Sequence, residues 1–367
     1  MQEFSQQVIN GLSYGAIYAL IAVGYTIVYG VLRLINFAHG DVYMVGAFAA
    51  LYAATGIFGI TVIPWWANPL TWLGAWIVMF LILKLARTSP GRWFIDLGQV
   101  LGIVCLAAIA CDLLTRGVRG IGVPSWPGLV LALATAIVVC GTLGYAIERV
   151  AYRPLRHQPR ITALITAIGV SMFLEFGGQA AFGASPQAFP RLIPGLEQHP
   201  ALFSAWGVVV GKADALIIII TLLIMLIVRW IIMHTKTGMA LRAVSFRFDT
   251  AALMGIDVNR IVSFCFVLGS ALAAVAGLLV AIRSPKVDPL MGLNAGLKAF
   301  IAAVLGGIGS IPGAVLGGIV LGLTEVMVAG YFPQGSQYKD GVAFVILIIV
   351  LLVKPSGLLG QNVVEKV

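Results

Sequence analysis

"NGLSYGAIYALIAVGYTIVYGVLRLINFAHGDVYMVGAF", residues 10–48, holds two apolar stretches parted by one polar knot. The first runs from about Val8 to Gly30 and has the ~20 residues a helix needs to cross a hydrocarbon layer. The second starts at His39 and continues to about residue 57. Between them stand Arg33 and Asn36, with His39 and Asp41 at the entry of the second run. Two spans joined by a short polar turn read as membrane helices. The first has no basic segment ahead of it and exceeds the roughly 7–15 apolar residues of a signal peptide, so it reads as a retained helix.

The rest of the chain extends that reading. Of 367 residues, 60% are hydrophobic and only 10% charged, against about 25% charged in soluble domains. A net charge of +9 would suit nucleic acid only on a water-soluble face, and here the basic residues sit in short loops between apolar runs. No nucleic-acid partner is expected. The four cysteines, Cys105, Cys111, Cys140 and Cys265, mostly fall inside apolar runs without CxxC spacing, which points to small core residues rather than metal or redox sites.

Stretches of span length fall at 8–30, 39–57, 67–85, 94–113, 128–148, 161–182, 213–233, 261–282, 295–309, 312–330 and 341–353. The last three are short or glycine-rich, which admits re-entrant or broken helices where backbone is buried in protein or lines a wet cavity. The expected fold class is all-α: a polytopic integral membrane protein of about nine to eleven transmembrane or re-entrant helices. Lys and Arg collect at Arg33, at Lys84 to Arg92, at Arg149 to Arg160, from Arg229 to Arg260, and at Lys354 and Lys366. Placing those loops in the cytoplasm puts the N-terminus outside and the C-terminus inside. Arg116 with Arg119, and Arg283 with Lys286, fall on the outer side in that scheme. The proline-broken segment 183–212 reads as an outer cap or docking surface.

The long inner loop is "HTKTGMALRAVSFRFDTAALMGIDVNRI", within residues 234–261. Phe248, Ala251 with Ala252, and Gly255 with Ile256 recur at helical spacing beside Arg247, Asp249 and Asp257. Asp249 or Thr250 can cap the start, and Gly255 can end the helix in the left-handed conformation. A helix lying on lipid would carry larger apolar residues and a basic polar face. Alanines and a glycine suit close approach to another protein, so a docking helix is expected.

These residues carry a resemblance. "GMALRAVSFRFDT" followed by "AALMGI" is similar to the cytoplasmic coupling loop of ABC importer permeases. The stretches "NGLSYGAIYALIAVGYTIVYGVLRLINFAHGDVYMVGAF", "GLKAFIAAVLGGIGSIPGAVLGGIVLGLTE" and "KPSGLLGQNVVEKV" resemble the permease subunits of branched-chain amino acid importers. The similarity covers roughly residues 1–58 and 128–367; residues 59–127, read as extra spans and an outer loop, depart from the family's shorter core. The resemblance implies one transmembrane permease domain over 1–367 with a coupling loop at 234–260. It also implies two cytoplasmic ATP-binding subunits, a second related permease subunit and a periplasmic substrate-binding protein. Arg242, Asp249, Ala251, Ala252, Gly255 and Ile256 would lie in the coupling loop, Ala252 and Gly255 matching its alanine and glycine.

A phosphate-binding loop needs GxxxxGK[ST], whose backbone amides and lysine wrap phosphate. The segment from Gly207 to Ala213 has the wrong spacing and no hydroxyl after Lys212. No ATPase site is therefore expected in the chain, and its energy must come from elsewhere. No HExxH occurs, and His39 and Asp41 have no serine or cysteine nucleophile nearby, so neither an enzyme nor a metal or other cofactor is expected.

Charge inside a bilayer needs a partner, a wet cavity or the interface. The candidates are Asn36, His39, Asp41, Glu148, Glu175, Asn294, Lys298 and Glu325. Around Asn36 and His39 the functional reading is a substrate or gate site. The structural reading is a tight inner turn in which Arg33 meets headgroups, Asn36 caps, Gly40 packs closely and Asp41 faces the positive helix end; this one is favoured. Glu175 could pair with Lys298 or face a pathway, and Glu148 reads as a local partner of Arg149 and Arg153. Gly309, Pro312 and Gly313 form part of a glycine-rich run whose small-xxx-small spacing suits helix packing, or a broken helix lining a path.

The reading is thus a permease subunit for branched-chain amino acids, working by alternating access. The alternatives are the same machine carrying urea or short amides, and an ion-coupled carrier acting alone.

Overall fold

The computed structural model describes residues 2–58, 126–156, 158–190, 201–205 and 208–360. The expected spans 67–85 and 94–113, with Cys105 and Cys111, lie outside them. Eleven α-helices are described: α1 (Gln2–Leu32), α2 (His39–Phe58), α3 (Trp126–Ile147), α4 (Arg160–Phe182), α5 (Lys212–His234), α6 (Lys236–Phe246), α7 (Phe248–Leu253), α8 (Val258–Arg283), α9 (Met291–Gly306), α10 (Ile311–Tyr331) and α11 (Gly335–Val353). Seven helical segments among the described residues are long and apolar enough to cross a membrane, and α9 is a shorter apolar helix. The chain is a polytopic all-α membrane protein.

Its described residues form two compact units. The first comprises Met1–Asn36, Pro194–Cys265 and Leu293–Val367; the second comprises Phe37–Ile193 and Phe266–Gly292.

In the first unit α1 is the central helix. It is apolar on every side, and every residue from Ala16 to Val28 is buried. Its main partner is α10, and the seam between them is made of backbone. A Cβ on Gly15 would lie 2.8 Å from the Ile319 Cα, and one on Gly318 2.5 Å from the Ala19 nitrogen. Gly11 and Gly15 on one helix, with Gly318 and Gly322 on the other, are the small-xxx-small pairs that let two membrane helices touch. The expected pairing at Gly309 is corrected: Gly309 has φ +97°, has open space where a Cβ would be, and lies in the turn before α10. Gly313 and Gly317 instead face α9, at the carbonyls of Gly306 and Ala302.

Pro312 does not break a helix. It occupies the first turn of α10, where a missing N–H costs nothing, and the Ser310 side chain caps that turn by accepting from the Gly313 N–H at 3.2 Å. Helix α10 then runs uninterrupted for 21 residues and α11 for 19. The short element is α9, whose 16 residues span about 24 Å, less than a ~30 Å hydrocarbon layer. A two-stranded hairpin, β2 (Ala201–Ala205) with β3 (Val208–Gly211), precedes α5.

In the second unit α2 packs on α3 and α4. Phe48 and Phe182 stack with centroids 4.3 Å apart, and Tyr52 leans on Phe182 at 5.8 Å. Gly46 lies against Ala274 and Gly277 against the Tyr43 carbonyl, which brings α8 onto α2. The Cys140 thiol, in α3, donates to the Val42 carbonyl at 3.3 Å, as a buried packing residue would. Strands β1 (Gln187–Ala188) and β4 (Lys286–Val287) pair antiparallel.

Candidate functional site

Four polar groupings stand out, three within the helices or at their ends and one on a loop. In the first unit, Lys298 on α9 sits between two carboxylates, 2.6 Å from the Glu325 Oε1 on α10 and 2.8 Å from Asp340 on α11. Tyr18 of α1 donates its hydroxyl to the other Glu325 oxygen at 2.7 Å, and its ring lies 5.8 Å from the Lys298 ammonium. Lys339 reaches Glu325 at 3.5 Å. Two cations and two anions from three helices, with the Tyr18 hydroxyl from a fourth, thus neutralise one another, as charge in an apolar surrounding requires. The neighbouring α10–α11 turn exposes Tyr331, Phe332 and Tyr338. Aromatics of that kind are enriched at membrane–water boundaries. The partners of Lys298 are thus Glu325 and Asp340, and not Glu175, which was one of the alternatives open to it.

The second grouping is at the start of α2. Arg33 takes a left-handed conformation with φ 53° and ends α1. Helix α2 begins at His39, and the Val42 N–H bonds the Ala38 carbonyl at 3.0 Å. Asn36 and His39 are both buried. Asp41 is buried in the first turn of α2, where the helix dipole favours a carboxylate. It accepts from the Ser171 hydroxyl of α4, and Glu175, one turn further along, acts on it as a like charge. The close approach here is made by Gly292, on which a Cβ would come within 2.8 Å of the Gly40 carbonyl oxygen. Ser171 carried no sequence signal, because a lone serine in an apolar helix is ordinary.

Below α3 the helix widens into a π turn over Glu148–Tyr152, then tightens through Arg153–Leu155. Glu148 is fully buried there and pairs with Arg156, eight residues on, a partner beyond the Arg149 and Arg153 that its position in sequence suggests. Burial lowers the Arg156 guanidinium below its ordinary value, while the Glu148 charge opposes that shift.

The loop grouping spans α6 and α7. Thr235 caps α6 by accepting from the Gly238 N–H at 3.0 Å, and Gly238 lets α6 fold tightly onto the carbonyls of Ile231 and Ile232. Arg242 lies back across the end of α5, its guanidinium 3.4 Å from the Met233 carbonyl. Arg247 is extended, so α6 and α7 are separate helices, and α7 has only six residues with no side-chain cap from Asp249 or Thr250. Gly255 is left-handed at φ +83° as expected, with open space around it.

The apolar stripe differs from expectation. Ala251 is buried, Phe248 and Ile256 are half-buried, and Ala252 and Gly255 are exposed. The large side chains offered outward are Leu253 at 87%, Phe246 at 80% and Met254 at 79%. Helical periodicity missed them because the break at Arg247 restarts the helical phase. Two aliphatic side chains and an aromatic ring are thus exposed on the same loop. Among the described residues, no group of three or more His, Cys, Asp or Glu could hold a metal.

A family model described as the branched-chain amino acid transport system permease component matches residues 7–126 and 94–351. The high-affinity branched-chain amino acid transport system permease protein BraD of Pseudomonas aeruginosa is 40% identical over 99% of this chain and 98% of its own length. The corresponding Escherichia coli protein, LivH, is 38% identical over the same shares. A probable branched-chain amino acid transport permease protein of Methanocaldococcus jannaschii is 26% identical over 96% of this chain and 91% of its own. No solved structure matches the chain.

Proposed function

The chain belongs to the family of branched-chain amino acid transport permeases, and from that premise we propose a division of labour among its parts. It is the membrane permease component of an importer that carries branched-chain amino acids across the bacterial inner membrane, with ATP-binding and substrate-binding proteins as partners. The observation that carries this reading is the near-full-length identity to BraD and LivH. Urea as cargo is not favoured beside relatives named for branched-chain amino acids.

Two ATP-binding subunits dock on the α6–α7 loop, through Phe246, Leu253 and Met254 with the turn at Gly255. A second related permease subunit completes the translocation unit, and a periplasmic binding protein delivers the substrate. The loop faces the cytoplasm, as its run of arginines favours. Closure of the ATPases pulls the loop and tilts the helices attached to it, α5 and α8. Residues around Asn36, His39 and Glu175 lie beside the path, while the turn at Gly309, Pro312 and Gly313 anchors α9 to α10.

The test is uptake of radiolabelled leucine and urea by cells with matched membrane levels of the wild type and Leu253→Arg. The reading expects leucine uptake in the wild type, and loss of both uptake and ATPase co-purification in the variant. Unchanged leucine uptake by the variant removes the docking surface, and uptake of urea alone changes the cargo.

A further inference from the structure

The segment "KPSGLLG", residues 354–360, has no place in the division of labour above, yet its backbone is tied to one feature of the fold. Helix α9 is too short to cross the membrane, so its carboxyl end is left with carbonyls that no helical N–H can reach. In an apolar layer such groups need partners from within the protein. They find them in this segment: the Leu358 N–H donates to the Leu305 carbonyl and the Leu359 N–H to the Gly306 carbonyl, each at 2.9 Å.

The approach is backbone on backbone. Gly307 and Gly357 are both left-handed, at φ +104° and +79°. A Cβ on Gly357 would come within 2.5 Å of the Gly307 nitrogen and Cα, and one on Gly307 within 2.5 Å of the Gly360 nitrogen. The segment is also closed on itself. The Gly357 N–H bonds the Lys354 carbonyl at 2.9 Å, and the Lys354 ammonium bonds the Leu358 carbonyl at 2.7 Å. Two left-handed glycines facing each other, with paired hydrogen bonds on one side, make a built junction rather than a chance crossing.

We propose that Lys354–Gly360 is an intramolecular latch that caps α9 and holds the α9–α10 turn, Gly307–Ser310, in its transport-competent conformation. The latch is a positioning element: it touches no substrate, and it acts through the turn and through α9, which carries Lys298. With the latch seated, Ile308 in the turn is half-buried, and release of the latch opens that turn to water.

The transport arm of the test rests on the permease reading, whereas the labelling arm does not. In a background with the four cysteines replaced by serine or alanine, Ile308→Cys is labelled with a water-soluble maleimide in membranes containing the full importer. Gly357→Val, which clashes with Gly307 and is strained at its own φ, is compared with the unmodified latch. The expected result is a several-fold faster labelling of position 308 and a several-fold loss of leucine uptake, at equal membrane levels and equal ATPase co-purification. Should Gly357→Val fail to accumulate, Leu358→Pro removes one donor while leaving the glycine contact, and the same two readouts apply at a smaller amplitude. Unchanged labelling in a variant that accumulates overturns the latch. Faster labelling with unchanged uptake overturns its positioning role, and slow uptake with urea as the only cargo in both chains faults the substrate reading instead.

Discussion

The α1–α10 seam and the α6–α7 loop are opposite uses of small and large residues. Along the seam, Gly11, Gly15, Gly318 and Gly322 remove side chains so that two backbones meet inside the unit. On the loop, the small residue Ala251 turns inward while Phe246, Leu253 and Met254 stand almost fully exposed. A surface completed within the chain tolerates no added atom, whereas an exposed one tolerates nearly any substitution in the isolated chain and, on the docking proposed above, fails only when the partner is needed. Damage at the seam should therefore appear as lost protein, and damage at the loop as lost work.

The largest effect is expected from Gly322→Leu, whose side chain has only the Gly11 and Gly15 backbone to enter. Overpacking of about 1–3 kcal/mol or more should abolish accumulation in the membrane, measured by immunoblot of membrane fractions; normal levels would break the contrast. Next comes Lys298→Met, which leaves Glu325 facing only Tyr18 and Lys339. Breaking a buried pair costs up to about 3–5 kcal/mol, so thermal stability in detergent should fall clearly. Pairing it with Glu325→Gln should recover most of that loss. A double variant no better than the single one would mean that Lys298 serves something other than its ion pair.

A smaller loss is expected in the second unit. Ser171→Ala removes the donor to buried Asp41, worth about 1.5–3 kcal/mol for a bond to a charged group, and should lower the melting temperature without changing membrane levels. The smallest effect on stability belongs to Leu253→Arg, within about 0.5 kcal/mol for so exposed a position, although leucine uptake should be lost. Equal stability with lost uptake sharpens the distinction between seam and loop, and a melting shift as large as that of Ser171→Ala would blur it.

The spans were legible because an apolar run of membrane length has one outcome in water-excluding surroundings. The helices starting at His39, Lys212 and Ile311 begin within a residue or so of where the sequence places them. The left-handed Gly255 was legible too, since a glycine after a short helical stretch offers a conformation other residues resist. Ion-pair partners were not. Lys298 and Glu325 are 27 residues apart on different helices, so their meeting depends on how α9 folds back on α10. Glu148 and Arg156 are eight apart, a spacing that meets only because a π turn and a tight turn replace the regular helix between them. The loop's exposed face was misread for a related reason: periodicity assumes one continuous helix, and the extended Arg247 divides it in two.

The sequence by itself determined the solvent this chain lives in, where several of its helices begin, and the family whose motifs it carries. All of these follow from runs of neighbouring residues and their hydropathy. Only the tertiary structure decided which glycines touch, which charges neutralise which, and which side chains of the loop face outward. Those outcomes depend on the relative rotation and depth of packed helices. A linear pattern leaves both free until side chains from distant segments compete for the same space.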